Sequence, residues 1–167
     1  CGLYIINWNV VAWIDAYKGI YQASIFIHNI DRNVKMTDEE RADFKGQARF
    51  VRAYYYWLLL RKYGPVPIMP DEGADYTQQY EELAIPRSSY EQCATFIADE
   101  MLKAVDEMKD WNRFEAPNNT DAEFIVRPTK GAALAVRALA YIYAASPLAN
   151  GQLLNGTHPS QVTELFA

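Results

Sequence analysis

The sequence has few cysteines, no excess of positive charge and no stretch suited to a membrane span, and each absence excludes a class of protein. The apolar stretch Ala53 to Leu60 is bounded by Arg52 and Arg61, far short of the roughly 20 residues that a bilayer core requires. Cys1 and Cys93 form no Cys-x-x-Cys pair, so neither a zinc site nor a disulfide framework is indicated. The formal net charge of −5, without any Lys/Arg run, argues against a nucleic-acid partner.

Sequence signatures of enzymes and of metal sites are also missing. None of the motifs G-x-S-x-G, H-E-x-x-H, G-x-x-x-x-G-K-[S/T] or G-x-G-x-x-G occurs. His28 and His158 have no companion at metal-ligand spacing, and the acidic residues from Asp71 to Asp75 lack the pattern of a calcium loop. We therefore predict no catalytic residue, no metal and no cofactor.

The start of the sequence shows no secretory signal, because no basic segment precedes an apolar one. Cys1 leads directly into the apolar stretch CGLYIINWNVVAW and not into a polar tether. This favours a truncated start over an acylated N-terminal cysteine. Contact with a membrane is expected only through a lipid anchor, which is not convincingly present in this chain.

Hydrophobic periodicity predicts four helices, at about residues 10–34, 37–62, 88–110 and 130–145. Thr37 and Thr129 are the expected caps of the second and fourth helices, and Ser88 with Glu91 forms the expected capping box of the third. Gly64, followed by two prolines, ends the second helix. A long loop at 64–87 follows, and loops of that length are typically functional or disordered.

The second helix contains the run YYYWLLL, from Tyr54 to Leu60. A helix that is apolar nearly all round must be covered on every side, so we expect a buried central helix. The alternative, an aromatic platform for a ligand, would need those rings to be exposed. Trp13 and Trp57 fall within helical stripes and are expected in the core.

These patterns predict an all-α fold of tetratricopeptide-like helical hairpins with long loops and few or no strands. The length of 167 residues, half of them hydrophobic, fits one domain. The fourth helix is rich in alanine, which lets a neighbouring helix approach closely.

Four blocks of sequence resemble the SusD/RagB family of nutrient-binding outer-membrane lipoproteins of Bacteroidota. The block GQARFVRAYYYWLLLRKYGPVPIMP is similar to the family's central signature. The blocks WIDAYKGIYQASIFIHNID, IPRSSYEQCATFIADEMLKAV and RPTKGAALAVRALAYIYAASPLANG resemble its other helices, in the family's order. Gln47 and Ser24 depart from the family's usual glutamate and asparagine.

The resemblance implies a cell-surface lipoprotein of the outer membrane that serves as the lid of a SusC-like TonB-dependent transporter. Such proteins bind oligosaccharides or polysaccharides, or peptides in the RagB branch, and they catalyse no reaction. Residues 1–167 would be a single SusD-like helical portion, without the C-terminal half of the family fold. A tetratricopeptide-type scaffold for protein partners and a helical glycosidase are the alternatives from other classes.

Sugar binding requires exposed aromatic rings beside hydrogen-bonding side chains. Trp8 and Asn9, just before the first predicted helix, and Tyr76 and Tyr80, in the long acidic loop, are the predicted ligand-binding residues. Trp111 is a weaker candidate of the same kind.

Three arginines of the second helix, Arg49, Arg52 and Arg61, have two possible roles. They would either bind acidic sugars or peptide carboxylates, or form a buried network that ties the helix to the following loop. The sequence favours the buried network, because all three lie within the central helix.

Overall fold

The computed structural model describes residues 2–71, 85–109, 127–147 and 149, and within them the chain forms four α-helices and no strand. This confirms the predicted all-α fold. A short 3-10 turn, Ile30–Arg32, follows the first helix. The helices are α1 (Gly2–Asn29), α2 (Asp38–Tyr63), α3 (Tyr90–Glu107) and α4 (Lys130–Ala144).

The first helix differs from its predicted bounds of 10–34 at both ends. It begins at Gly2, because no proline or other helix breaker separates this residue from the periodic part of the sequence. It ends at Asn29, before the short 3-10 turn. The side chain of Asn33 accepts a hydrogen bond from the backbone N–H of Lys35 at 3.0 Å, and such local bonds compete with helix continuation.

The caps of the other helices agree with the sequence in two cases out of three. Thr37 forms a capping box with Glu40, and the Thr129 hydroxyl accepts from the backbone N–H of Ala132. The predicted box of Ser88 and Glu91 is wrong by one residue, since the structure uses Ser89 and Gln92. The backbone N–H of Ser88 instead donates to the carbonyl of Val66 at 3.1 Å, which holds Ser88 outside the helix.

Helix α2 ends at Gly64, whose φ of 70° is unfavourable for residues with a side chain. An extended segment, residues 65–70, then runs back along the helices. Two phenols hold it: Tyr17 donates to the carbonyl of Pro67, and Tyr56 accepts from the backbone N–H of Met69, both at 2.8 Å. The start of the predicted loop, residues 65–70, is thereby fixed to the core.

Consecutive helices pack on one another in chain order, so that α2 lies between α1 and α3, while α4 covers the other side of α3. This arrangement suits the predicted stacking of helical hairpins. The buried face of α4 consists of small residues, Ala133, Val136, Ala140 and Ala144, which permit close approach to α3.

The run YYYWLLL supplies much of this core, as expected for a central helix. Tyr56, Trp57, Leu59 and Leu60 are each at most 2% exposed. The cover is not complete, because Tyr54 is 41% exposed and stacks on Phe50 one turn earlier. The rings of Tyr56 and Trp57 are therefore unavailable as a ligand platform.

Gly46 marks a close approach of α2 to the end of α3. A Cβ atom at this position would lie 2.8 Å from both the backbone nitrogen and the Cγ of Met108. Nearby, the buried carboxylate of Asp43 accepts from the backbone N–H of Lys109 at 2.9 Å and from the amide of Gln47 at 2.8 Å. The presence of glutamine at position 47 thus has a physical reason, because a glutamate there would have no N–H group to donate to Asp43.

Gly46→Ala is expected to lower the free energy of unfolding by about 1–3 kcal/mol, because the added methyl group must displace backbone as well as a side chain. Gly131→Ala is the matched control, since the nearest atom to its new Cβ is 3.9 Å away. That variant is expected to be neutral or to gain up to about 1 kcal/mol. Urea unfolding of both variants tests the prediction, and equal effects at the two glycines would contradict it.

Candidate functional site

The residues predicted to bind ligand are not brought together by the described part of the structure. Trp8 and Asn9 lie inside α1, so the prediction that they precede the first helix is wrong. The cause is the early start of that helix at Gly2. Tyr76, Tyr80 and Trp111 lie outside the described residues. A binding role for any of these side chains stays a prediction.

Three arginines of α2, Arg49, Arg52 and Arg61, lie in different surroundings. Arg49 and Arg52 belong to a buried ion network, as the sequence favoured, whereas Arg61 is exposed near the end of the helix. Nine residues separate Arg52 from Arg61, and the packing neighbours of α2 change over that distance. The structure therefore leaves one of the three guanidinium groups at the surface.

The network centres on Glu100 of α3, whose side chain is 2% exposed. Arg52, itself 1% exposed, donates to Glu100 and also to Asp71 at 2.7 Å. Arg49 lies 3.3 Å from Glu100 and 2.8 Å from Glu107. Asp71 is the last residue that the structure describes before position 85, so Arg52 links the buried network to the start of the predicted loop.

Ser24 of α1 completes this cluster, since its buried hydroxyl accepts from Arg52 at 3.3 Å. The departure from the family's asparagine is therefore accommodated by a direct side-chain contact. Burial alone would raise the pKa of Glu100, but the charge and hydrogen bond of Arg52, with help from Arg49 and Lys103, outweigh it and lower the pKa overall. Glu100 thus stays ionised in the folded protein.

The sequence offered one signal for Glu100 that was not used. Cys93, Ile97 and Ala104 recur at helical spacing on the buried face of α3, and Glu100 falls on the same face. A carboxylate in such a position must be paired. Its partners on α2 could not be named, because the sequence does not show which face of α2 meets α3.

A concave surface lies where α2 ends, α3 begins and α4 ends. We call it the terminal cleft, and its volume is about 730 Å³, within the range of small-ligand sites. Its walls are mainly apolar, with a few polar groups. Its lining includes Leu60, Arg61, Tyr90, Ile142, Tyr143 and Ser146.

Two tyrosines, Tyr90 and Tyr143, supply aromatic rings and hydroxyl groups to the lining of the terminal cleft. Tyr143 is 42% exposed, and its ring meets that of Trp57 edge to face, with centroids 4.9 Å apart. Burial and the neighbouring Tyr143 and Cys93 raise the pKa of Tyr90, so its phenol stays protonated. Within the described ranges, neither hydroxyl has a hydrogen-bond partner, and both can bond to a ligand.

The described residues offer neither a metal site nor a membrane-spanning helix. No group of three or more His, Cys, Asp or Glu side chains in these ranges is arranged to hold a metal ion. None of the helices there combines the length and apolarity needed to cross a bilayer.

Comparison with known proteins identifies the class. A family model described as SusD-like, starch-binding and associating with the outer membrane matches residues 5–143. The match covers most of the sequence, and the chain belongs to this SusD-like family. The resemblance noted in the four sequence blocks is thereby confirmed.

Individual relatives agree with this assignment. SusD-like protein P25 of Formosa agariphila is 34% identical over 55 residues, which are 33% of this chain and 10% of that protein. The solved structure of BT4246 is 26% identical with a TM-score of 0.65, covering 81% of this chain and 21% of the other. A SusD homolog from Bacteroides thetaiotaomicron is 26% identical with a TM-score of 0.60, covering 84% and 26%. The chain thus spans between 10% and 26% of the length of each of these relatives.

Proposed function

We propose that this protein binds oligosaccharides or polysaccharides at the cell surface and delivers them to a SusC-like TonB-dependent transporter, for which it acts as the lid. It is a lipoprotein of the outer membrane in this proposal, and the described helices form the N-terminal portion of a longer chain. Binding and transfer involve no chemical change of the glycan, so no catalytic residue is required.

The observation that carries the proposal is the family match over residues 5–143, whose description is starch-binding and associating with the outer membrane. The fold adds a physical argument. Its buried ion network and the bonds from Tyr17 and Tyr56 fix both ends of the segment 65–71, which leads into the loop. A rigid base of this kind would suit a binding loop, if the predicted loop serves as one.

Calorimetry of the full-length protein against a panel of polysaccharides and peptides tests the ligand class. We expect saturable binding to at least one glycan, without release of reducing ends. Binding to peptides alone would contradict the glycan proposal and favour a RagB-like or scaffold role. Release of reducing ends from a bound polymer would favour a glycosidase. Co-purification of a TonB-dependent barrel with the protein tests the lid role.

The proposed contacts Trp8, Asn9, Tyr76 and Tyr80 are tested by alanine variants in the same assay. If a ring stacks on the sugar, its removal should weaken binding at least tenfold, which corresponds to about 1.4 kcal/mol. Tyr54→Ala is the matched control, because Tyr54 is an exposed aromatic on α2 outside the terminal cleft. An equal effect of all these variants would indicate a general loss of structure.

A further inference from the structure

Arg61 is an exposed cation whose position is fixed without a carboxylate. Its guanidinium carbon lies 5.8 Å from the ring centroid of Trp57, at cation–π distance. Among the residues that the structure describes, no Asp or Glu oxygen is within 4.0 Å of it, whereas Arg41, Arg49 and Arg52 each have such a partner. The positive charge of Arg61 is therefore open to an external anion.

The indole ring of Trp57 also contacts a second residue of the terminal cleft, Tyr143. Trp57 is buried and contacts both Arg61 and Tyr143. One buried residue thus contacts both a cation and an exposed aromatic ring of the cleft. Such fixed placement reduces the entropy that a ligand must remove on binding.

The electrostatic surroundings of the cleft favour a negative ligand. None of the residues that line it in the described ranges is acidic. Arg87 adds a second positive charge nearby, since it donates to the carbonyl of Pro65, which is itself part of the lining. Asp15, which shares a neighbouring cleft with Arg61, is paired with Lys18 at 3.5 Å.

The terminal cleft is also lined by residues that can form hydrogen bonds with a ligand. The phenol of Tyr90 is a neutral donor, and Tyr143 and Ser146, which also carry hydroxyl groups, line the same cleft. Aromatic faces, hydroxyl groups and a planar guanidinium together match a sugar ring that carries an anionic group, because guanidinium binds carboxylate and sulfate oxygens through parallel N–H bonds.

We propose that the terminal cleft is a subsite for an anionic saccharide, in which Arg61 binds the carboxylate or sulfate and Tyr143 contacts the pyranose ring. The inference rests on the proposed glycan-binding function and specifies its substrate class. A volume of about 730 Å³ accommodates a short saccharide.

Calorimetry on the full-length protein tests the subsite with three kinds of polymer: polygalacturonate and alginate, which carry carboxylates, carrageenan, which carries sulfates, and neutral starch and laminarin. We expect tighter binding of at least one anionic polymer, and the two anionic arms distinguish carboxylate from sulfate. Arg61→Gln should weaken that binding at least tenfold and leave any neutral binding unchanged. Added NaCl should weaken the anionic binding of the unmodified protein more than that of the variant.

Lys62→Gln is the matched control, because Lys62 occupies the same exposed last turn of α2 but does not line the terminal cleft. It should change anionic binding less than threefold. Arg61→Lys should restore binding in part, since it keeps the charge but loses the parallel bonds. Tyr143→Ala should also weaken binding, whereas Tyr54→Ala should not, and thermal unfolding checks that each variant is folded.

The outcomes separate this inference from the general function. Binding of neutral glycans alone, or anionic binding that Arg61→Gln leaves unchanged, would overturn the subsite and leave the glycan-binding function standing. Binding of no saccharide would overturn both. Arg61-dependent binding of a peptide carboxylate, with no saccharide bound, would assign the cleft to a peptide.

Discussion

Glu100→Ala is expected to lower the free energy of unfolding by about 3–5 kcal/mol, because it leaves the charges of Arg52 and Arg49 without their shared partner. Arg52 is 1% exposed and one of its polar atoms, Nε, already has no hydrogen-bond partner. Water cannot readily replace the lost carboxylate at such a site. Asp71 remains as a partner for Arg52, but it is 59% exposed and more weakly held. Equilibrium unfolding in urea measures the change.

Asp99→Ala is the matched control, since Asp99 is an exposed carboxylate on the same helix. Its effect should stay within about 0.5 kcal/mol. The free energy of unfolding of the double variant Arg52→Met with Glu100→Leu should be closer to that of the unmodified protein than the value for Glu100→Ala is. The reason is that the double variant removes both charges of this ion pair together. A loss below about 1 kcal/mol for Glu100→Ala would show that the network is open to water.

The same carboxylate makes stability depend on pH. The pKa of Glu100 is lower in the folded protein than its ordinary value of 4.5, so its stabilising contribution is complete above that value. The contribution is lost as the pH falls from about 4.5 through the lowered pKa. Glu100→Gln should therefore flatten the acid side of the stability profile, as measured by urea unfolding between pH 7 and pH 3. An unchanged acid slope would contradict the assignment.

Tyr56→Ala is expected to lower the free energy of unfolding by about 3–5 kcal/mol through loss of a fully buried ring. The ring is 1% exposed and meets Tyr17 and Phe96 edge to face, at centroid distances of 6.4 and 5.1 Å. Burial raises its pKa to about 12, so the phenol is neutral and can accept from the N–H of Met69. Removing the ring leaves a cavity and also frees the extended segment.

Tyr56→Phe separates these two effects. It keeps the ring but leaves the N–H of Met69 unpaired, at an expected cost of about 1–2 kcal/mol. Tyr54→Ala, which removes a 41% exposed ring, should cost less than about 1 kcal/mol. Urea unfolding orders the three variants, and an equal loss for Phe and Ala at position 56 would mean that the hydrogen bond, and not the ring, dominates.

The local sequence predicted local structure well, but it predicted the exposure of side chains poorly. Thr37 and Thr129 were recognisable as caps, because a capping side chain bonds to N–H groups two or three residues away. The error at Ser88 arose from a distant contact, the hydrogen bond to Val66. Trp8 and Asn9 were expected ahead of α1, because an apolar segment without strong periodicity gave no sign of where the helix begins.

The arginines of α2 show the same limit at the candidate site. Arg49, Arg52 and Arg61 look alike in sequence, yet two are buried in a network and one faces the terminal cleft. The partner that decides the role of Arg52 lies 48 residues away, on another helix. Tyr90 and Tyr143 were assigned to helices, and nothing local indicated that one cleft would hold both.

The sequence by itself determined the helical fold class, most of the helix ends and membership of the SusD-like family. These properties follow from the spacing of apolar residues and from caps, which can be read within a few turns of chain, and from the order of the motifs along it. Only the tertiary structure decided which charges are paired, which rings are covered and that Arg61, Tyr90 and Tyr143 line one cleft. Burial and pairing depend on contacts between helices far apart in sequence, and only the packed arrangement brings those helices together.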